Sequence, residues 1–311
     1  MRAAGRVIFI CLTLSSFPSR MLAQAESQQQ AVAKLTQLIE QKQFQQAIDE
    51  GSLAVGQWPD NAQIHHLLGL GYFKAGDLNG AAEHLEDAVS LAPTQADMHY
   101  DLALLELSDR KYPQAAEELE KANRLDPRNA LAHVLLGRAY LNTNRTLQAI
   151  PEFQTALKIE PDIELGHYHL GFAYSTLGKN REAITEFEQE LARSPDNPET
   201  LYQLGHALVD TGKINEGEAA LRHCLVLEPR FDAEYDLGKA LLLERKIPDA
   251  ITTLRKAIEL NAGDPSAHYQ LARALELSGS KQEAEQELAQ FRALKAAQPS
   301  EGGMASGRVI K

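Results

Sequence analysis

Prolines stand at positions 59, 93, 127, 161, 195 and 229, each 34 residues after the last, and the small residues Gly69, Ala103, Gly137, Gly171 and Gly205 keep the same step. A stretch such as Ala130 to Ile163 therefore meets a counterpart of itself in either direction along the chain. Self-similarity at a fixed period argues against one globular core, because a unit this small buries its apolar face only by stacking on a neighbour. Eight units fit between Gln28 and Ala297: 28–61, 62–95, 96–129, 130–163, 164–197, 198–230, 231–264 and 265–297, the sixth one residue short.

Within a unit, apolar residues return every three or four places along two runs, as in Val134, Leu135, Leu136, Tyr140 and then Ala149, Ile150, Phe153, Ala156, Leu157. That spacing lays a stripe on one face of each of two helices, so the chain is read as all-α. A short polar turn such as Gly76-Asp77 or Gly178-Lys179 separates them, with glycine suited to the left-handed conformation that ends a helix. The proline that follows forces its predecessor out of helical geometry and closes the second helix. Pro113, Pro198, Pro248 and Pro265 fall at helix starts, where a missing N–H costs nothing. Pro151 falls a turn inside a second helix and predicts a late start or a kink there. Gly137 and its counterparts are expected to face Ala149 and its counterparts at the helix crossing. Glu190 stands where that unit's small column should be buried, and the seam between the fifth and sixth units is expected to pack least well.

The first 25 residues differ from the rest. Arg2 and Arg6 precede the apolar run Val7 to Phe17, and Ala23-Gln24-Ala25 follows, so residues 1–25 read as a secretory signal peptide with cleavage after Ala25. Eleven apolar residues are too few for a spanning helix, which needs about 20, so no membrane span is expected in the mature chain. The expected location is the periplasm or the exterior. Residues 298–311 are expected to form a disordered tail. Cys224 is then the only cysteine of the mature chain and, in a column otherwise filled by Ala54, Ala88, Ala122, Ala156 and Ala257, reads as a buried small residue. The formal charge of −12, more negative still without the arginines of the leader, argues against nucleic acid as a partner.

The pattern Leu-Gly-x-x-Tyr, then Ala, then Phe or Leu, then Ala, then Pro, resembles the tetratricopeptide repeat and covers most of the chain. The resemblance implies a right-handed superhelical solenoid of about eight helix-turn-helix repeats, whose first helices line a concave groove that holds a peptide or a partner's helix. It assigns two columns to the groove lining. One reads His66, Tyr100, Val134, Tyr168, Tyr202, Tyr235, Tyr269; the other reads Leu70, Leu104, Arg138, Phe172, His206, Lys239, Arg273. The groove site expected from them comprises Tyr100, Tyr168, Phe172, Tyr202, His206, Tyr235, Lys239, Tyr269 and Arg273. Such a surface suits a protein or peptide partner, since tyrosine gives rigid contact area with a polar tip.

No nucleophile set, phosphate-binding glycine loop or Cys-x-x-Cys occurs, so no catalytic residues, cofactor or enzymatic activity are expected. His65, His99, His133, His167 and His268 share a column, but successive first helices lie at least about 8–10 Å apart while zinc ligands sit about 2 Å from the ion. One ion cannot bridge two rungs, no helix carries histidines four apart, and no metal is expected. Glu117-Glu118 and Glu186/Glu188 read as solvated outer-face residues. The expected function is a non-enzymatic interaction scaffold or assembly factor. The alternative is an accessory repeat protein of a secreted or envelope glycosyl- or peptidoglycan-modifying system, with the chemistry on another chain.

Overall fold

The computed structural model describes residues 16–297; most of the expected leader and all of the expected tail lie outside the described residues. Among the described residues there are sixteen helices and no strand, grouped into two compact units, Met1–Pro127 and Arg128–Lys311. The first unit holds three hairpins: α1 (Ser16–Glu40) with α2 (Phe44–Gln57), α3 (Ala62–Ala75) with α4 (Leu78–Leu91), and α5 (Ala96–Ser108) with α6 (Tyr112–Leu125). The second holds five: α7 (Ala130–Asn142) with α8 (Thr146–Ile159), α9 (Gly166–Thr176) with α10 (Asn180–Leu191), α11 (Pro198–Asp210) with α12 (Ile214–Leu227), α13 (Phe231–Leu243) with α14 (Ile247–Leu260), and α15 (Pro265–Ser278) with α16 (Lys281–Ala297). Within each unit every helix packs on its chain neighbours, and the first helices of successive hairpins touch. No helix of the described residues is long and apolar enough to cross a membrane.

Each hairpin turns on one left-handed residue. Gly76, Gly178, Gly212 and Gly279 supply it where glycine is present, and Lys42, Arg110, Asn144 and Arg245 adopt the same positive φ where it is absent. The repeat thus imposes the turn on residues that resist it. Helix starts show the same division between good and poor local signals. Asn61, Asn129, Asn197 and Asp264 accept backbone N–H bonds as N-caps of α3, α7, α11 and α15. Ile163, in that column, offers no oxygen, and α9 begins only at Gly166. Its orphan Tyr168 N–H is taken instead by the carboxylate of Glu190, 3.3 Å away on α10. Glu190, 4% exposed, is therefore a cap supplied across the hairpin, which explains a carboxylate in a small-residue column.

One expectation about the helices is corrected. Helix α8 starts at Thr146, in register with the other second helices, rather than late. Pro151 lies on its exposed side, and buried Ala149, Phe153 and Ala156 hold the register that the missing N–H would weaken. At the crossings the small column lies close to the Ala149 column, as expected: a Cβ on Gly171 would meet the Ala183 carbonyl at 3.2 Å, and one on Gly217 the Gly205 carbonyl at 3.0 Å. The large side chain one turn on fills the remaining space. A Cβ on Gly137 would meet Phe153 at 2.5 Å, and one on Gly171 would meet Phe187 at 2.7 Å. Leu85, Leu119, Phe153, Phe187, Leu221 and Leu254 form that column, each fully buried, and form the spine of the two cores. Cys224 is buried and free, its thiol pushed up to about 11 by burial, so it packs as an inert small side chain.

Candidate functional site

The first helices carry two layers of polar contact. The deeper one is the histidine column. Nδ1 of His99, His133, His167 and His268 lies 2.6, 2.6, 2.7 and 2.6 Å from a carboxylate of Glu118, Glu152, Glu186 and Glu287, each 19 residues on in the second helix of the same hairpin. Nε2 of His99 and of His268 donates to the carbonyls of Pro93 and Ala262, at the junction with the preceding hairpin. The imidazole is a brace between helix pair and inter-repeat turn. Glu118 and Glu186, read from the sequence as solvated, are its partners, while Glu117 and Glu188 are exposed. The recurring interval of 19 was the available signal.

The second layer links one first helix to the next. In the first unit, His66 Nε2 lies 2.7 Å from Asp101 Oδ2. In the second, His206 Nδ1 lies 2.7 Å from Asp236 Oδ2, and Lys239 Nζ donates to Asp236 Oδ1 at 3.1 Å. Burial alone would raise the Asp236 carboxyl, but the hydrogen bond and charge of His206, with Lys239, hold it below its ordinary value. The same bond to Asp236 raises His206 above 6.5. Asp101 and Asp236 both precede a hairpin's Leu-Ala or Leu-Gly pair.

The nine expected groove residues separate by exposure. Tyr168 and Tyr202 are 8% and 4% exposed and belong to cores, the first against Ile184, Phe187 and Leu208, the second under the Arg230 guanidinium at 4.5 Å. Tyr100 is half-buried beside Asp101, and burial, then that carboxylate, raises its hydroxyl. Phe172, His206, Tyr235 and Lys239 are half-buried; Tyr269 and Arg273 are exposed. The structure brings Tyr235 and Tyr269 together in one open cavity of about 390 Å³ in the second unit, with Asp264, Pro265, Ser266, Phe291 and Lys295. Tyr235 stacks on Phe231 at 5.9 Å and Tyr269 meets Phe291 at 5.3 Å. Phe291 and Lys295, from α16, were missed. Phe291 occupies the column that holds alanine, cysteine or, once, glutamate elsewhere, so its size was the clue.

A family model described as tetratricopeptide repeat matches residues 38–96, 66–123, 100–162, 202–265 and 235–301, and a second so described matches 166–197. No curated protein sequence matches the chain significantly. Among solved structures, YrrB, described as a TPR protein with an unusual peptide-binding site, aligns with TM-score 0.54 and 23% identity over 60% of this chain and 97% of its own. PilW, described as a type IV pilus biogenesis factor, aligns at 0.57 and 22% over 65% and 94%. Pseudomonas aeruginosa pilF aligns at 0.56 and 20% over 68% and 96%. At these identities the likeness is one of fold.

Proposed function

We propose, from the premise that this chain belongs to the tetratricopeptide repeat family, that it is a non-enzymatic interaction protein of an exported compartment, and that it holds a partner polypeptide along the first helices of its hairpins. The observation that carries this reading is the cavity walled by Tyr235, Tyr269 and Phe291 with Lys295 at its side. Aromatic walls offer rigid apolar area to an inserted side chain, and the lysine offers a charge to a carboxylate on the same ligand. Asp264 also lines the cavity, and Arg273 is exposed one turn beyond Tyr269. Buried Tyr168 and Tyr202 belong to the cores, and Tyr235 packs against the one that holds Tyr202. Export rests on the basic start, short apolar run and Ala-Gln-Ala of residues 1–25. The scaffold role agrees with the peptide-binding site of YrrB and with PilW as a type IV pilus biogenesis factor.

The test is a peptide library screened on the full chain by fluorescence anisotropy. Tyr235→Ala and Tyr269→Ala should each weaken the best ligand at least about tenfold, or about 1.4 kcal/mol, with helicity unchanged. Affinity that survives both substitutions would remove the site from this cavity. Cell fractionation of the tagged chain should find it outside the cytoplasm, and retention inside would refute the export reading.

A further inference from the structure

His65 is the one ladder histidine whose partner 19 residues on is not a glutamate but His84. We propose that His65, His84 and Asp87 form a binding site for a divalent cation of the zinc class, built within the single hairpin of α3 and α4. The spacing of the rungs rules out an ion shared between hairpins, but the facing helix of the same hairpin supplies the ligands here. His84 and Asp87 are three residues apart on α4, which puts them on one face.

The tautomer of His65 is set by its surroundings. Its Nε2 lies 2.9 Å from the Pro59 carbonyl, which can only accept, so Nε2 carries the hydrogen and Nδ1 of the neutral ring presents a lone pair. That arrangement, with the far nitrogen donating to a carbonyl, is the usual support of a metal-bound imidazole. Facing the lone pair are His84 Nδ1 at 3.3 Å and an Asp87 carboxylate oxygen at 3.4 Å, and the three atoms lie within 4.8 Å of one another. The other four ladder histidines hold their carboxylates at 2.6–2.7 Å, the length of a bond with one proton between the atoms. Here the two separations from His65 Nδ1 are longer and match the edge of about 3.3 Å that two bonds of about 2.0–2.1 Å subtend at a tetrahedral centre.

Three donor atoms converge on a point that an electrophile should occupy, and two imidazoles with a carboxylate suit zinc, with one vertex left for water or a partner's side chain. The His84 ring is fixed in plane by stacking on Tyr72 at 5.6 Å. Asp87 is exposed and leaves a path for entry.

Zinc binding to the full chain is measured by equilibrium dialysis, with cobalt(II) as a spectroscopic probe. One tight equivalent is expected, with a cobalt spectrum of tetrahedral intensity. His84→Gln and Asp87→Asn, both on the accessible side of the hairpin, should each weaken zinc at least about tenfold and abolish the cobalt spectrum, while circular dichroism stays that of the parent. Absence of tight zinc binding would overturn the proposal. So would zinc held with the same stoichiometry and affinity by both variants, since the ion would then sit on the histidine–glutamate braces or elsewhere.

Discussion

The two units use one repeat to different ends. In the first, the groove columns are sparse, with half-buried Leu70 and Leu104 beside Tyr100, and the distinctive chemistry lies inside a hairpin, at His65, His84 and Asp87. In the second, the brace recurs at His133, His167 and His268, and the distinctive chemistry faces outward, at Tyr235, Tyr269, Phe291 and Lys295. Phe291 stands in a column that is buried in every other hairpin. Columns at the crossings, such as Gly137 with Phe153, are not free to vary in this way, because added atoms would meet a ring at 2.5 Å.

Core substitutions test whether the two spines are equivalent. Phe187→Ala in the second unit should cost about 3–5 kcal/mol and Leu85→Ala in the first about 2–5 kcal/mol, read from urea unfolding followed by circular dichroism, because both side chains are fully buried at the same repeat position. A Leu85→Ala cost under about 1 kcal/mol would show that the first unit's spine collapses around the gap. Helix caps give the next effect. Asn61→Ala, a cap made within one helix start, and Glu190→Ala, a cap made across a hairpin, should each cost about 0.5–2 kcal/mol. If Glu190→Ala were neutral, its carboxylate would be only a tolerated guest in the column. The turns come third. Arg110→Gly in the first unit and Arg245→Gly in the second should each stabilise by about 1 kcal/mol, since both residues now hold a positive φ, and Asn144→Gly should gain less.

The smallest effects depend on pH, because the groups concerned are partly exposed. Glu106 in the first unit is pushed up to about 7, chiefly by burial and then by Glu118 and Glu86. The unfolded chain loses that proton first, so stability falls as pH rises from 4.5 towards 7, and Glu106→Gln should raise Tm at pH 8 with little change at pH 5. His206 in the second unit is raised by Asp236, so its contribution is complete below 6.5 and is lost as pH rises through the folded value. His206→Gln should therefore lower Tm at pH 6 and matter less at pH 9. Equal responses to both substitutions would erase this distinction between the units.

The period of 34, the proline stops and the glycine turns made the hairpins legible from the residues alone, because each signal acts through the local backbone. The turns at Lys42, Arg110 and Arg245 were hidden, since nothing in those side chains favours a left-handed residue; the packing of flanking helices imposes it. For the groove, the sequence named two columns but could not rank their members by burial. Tyr168 and Tyr202 read the same as Tyr235 and Tyr269, yet the first pair is in the cores and the second pair walls the cavity. That difference is set by which neighbours cover each ring, a property of three helices at once.

What the sequence determined by itself was the repeat: where helices begin and end, which columns must be small, and that the chain stacks rather than collapses. Only the tertiary structure decided which polar residues meet. The 19-residue interval between histidine and glutamate, its conversion to His84 in one hairpin, and the reach of Glu190 to the start of α9 acquire meaning when two helices lie side by side. The physical reason is range. Backbone preferences act over a few residues and can be read in order along the chain, whereas hydrogen bonds between side chains depend on distances of about 3 Å that packing alone sets.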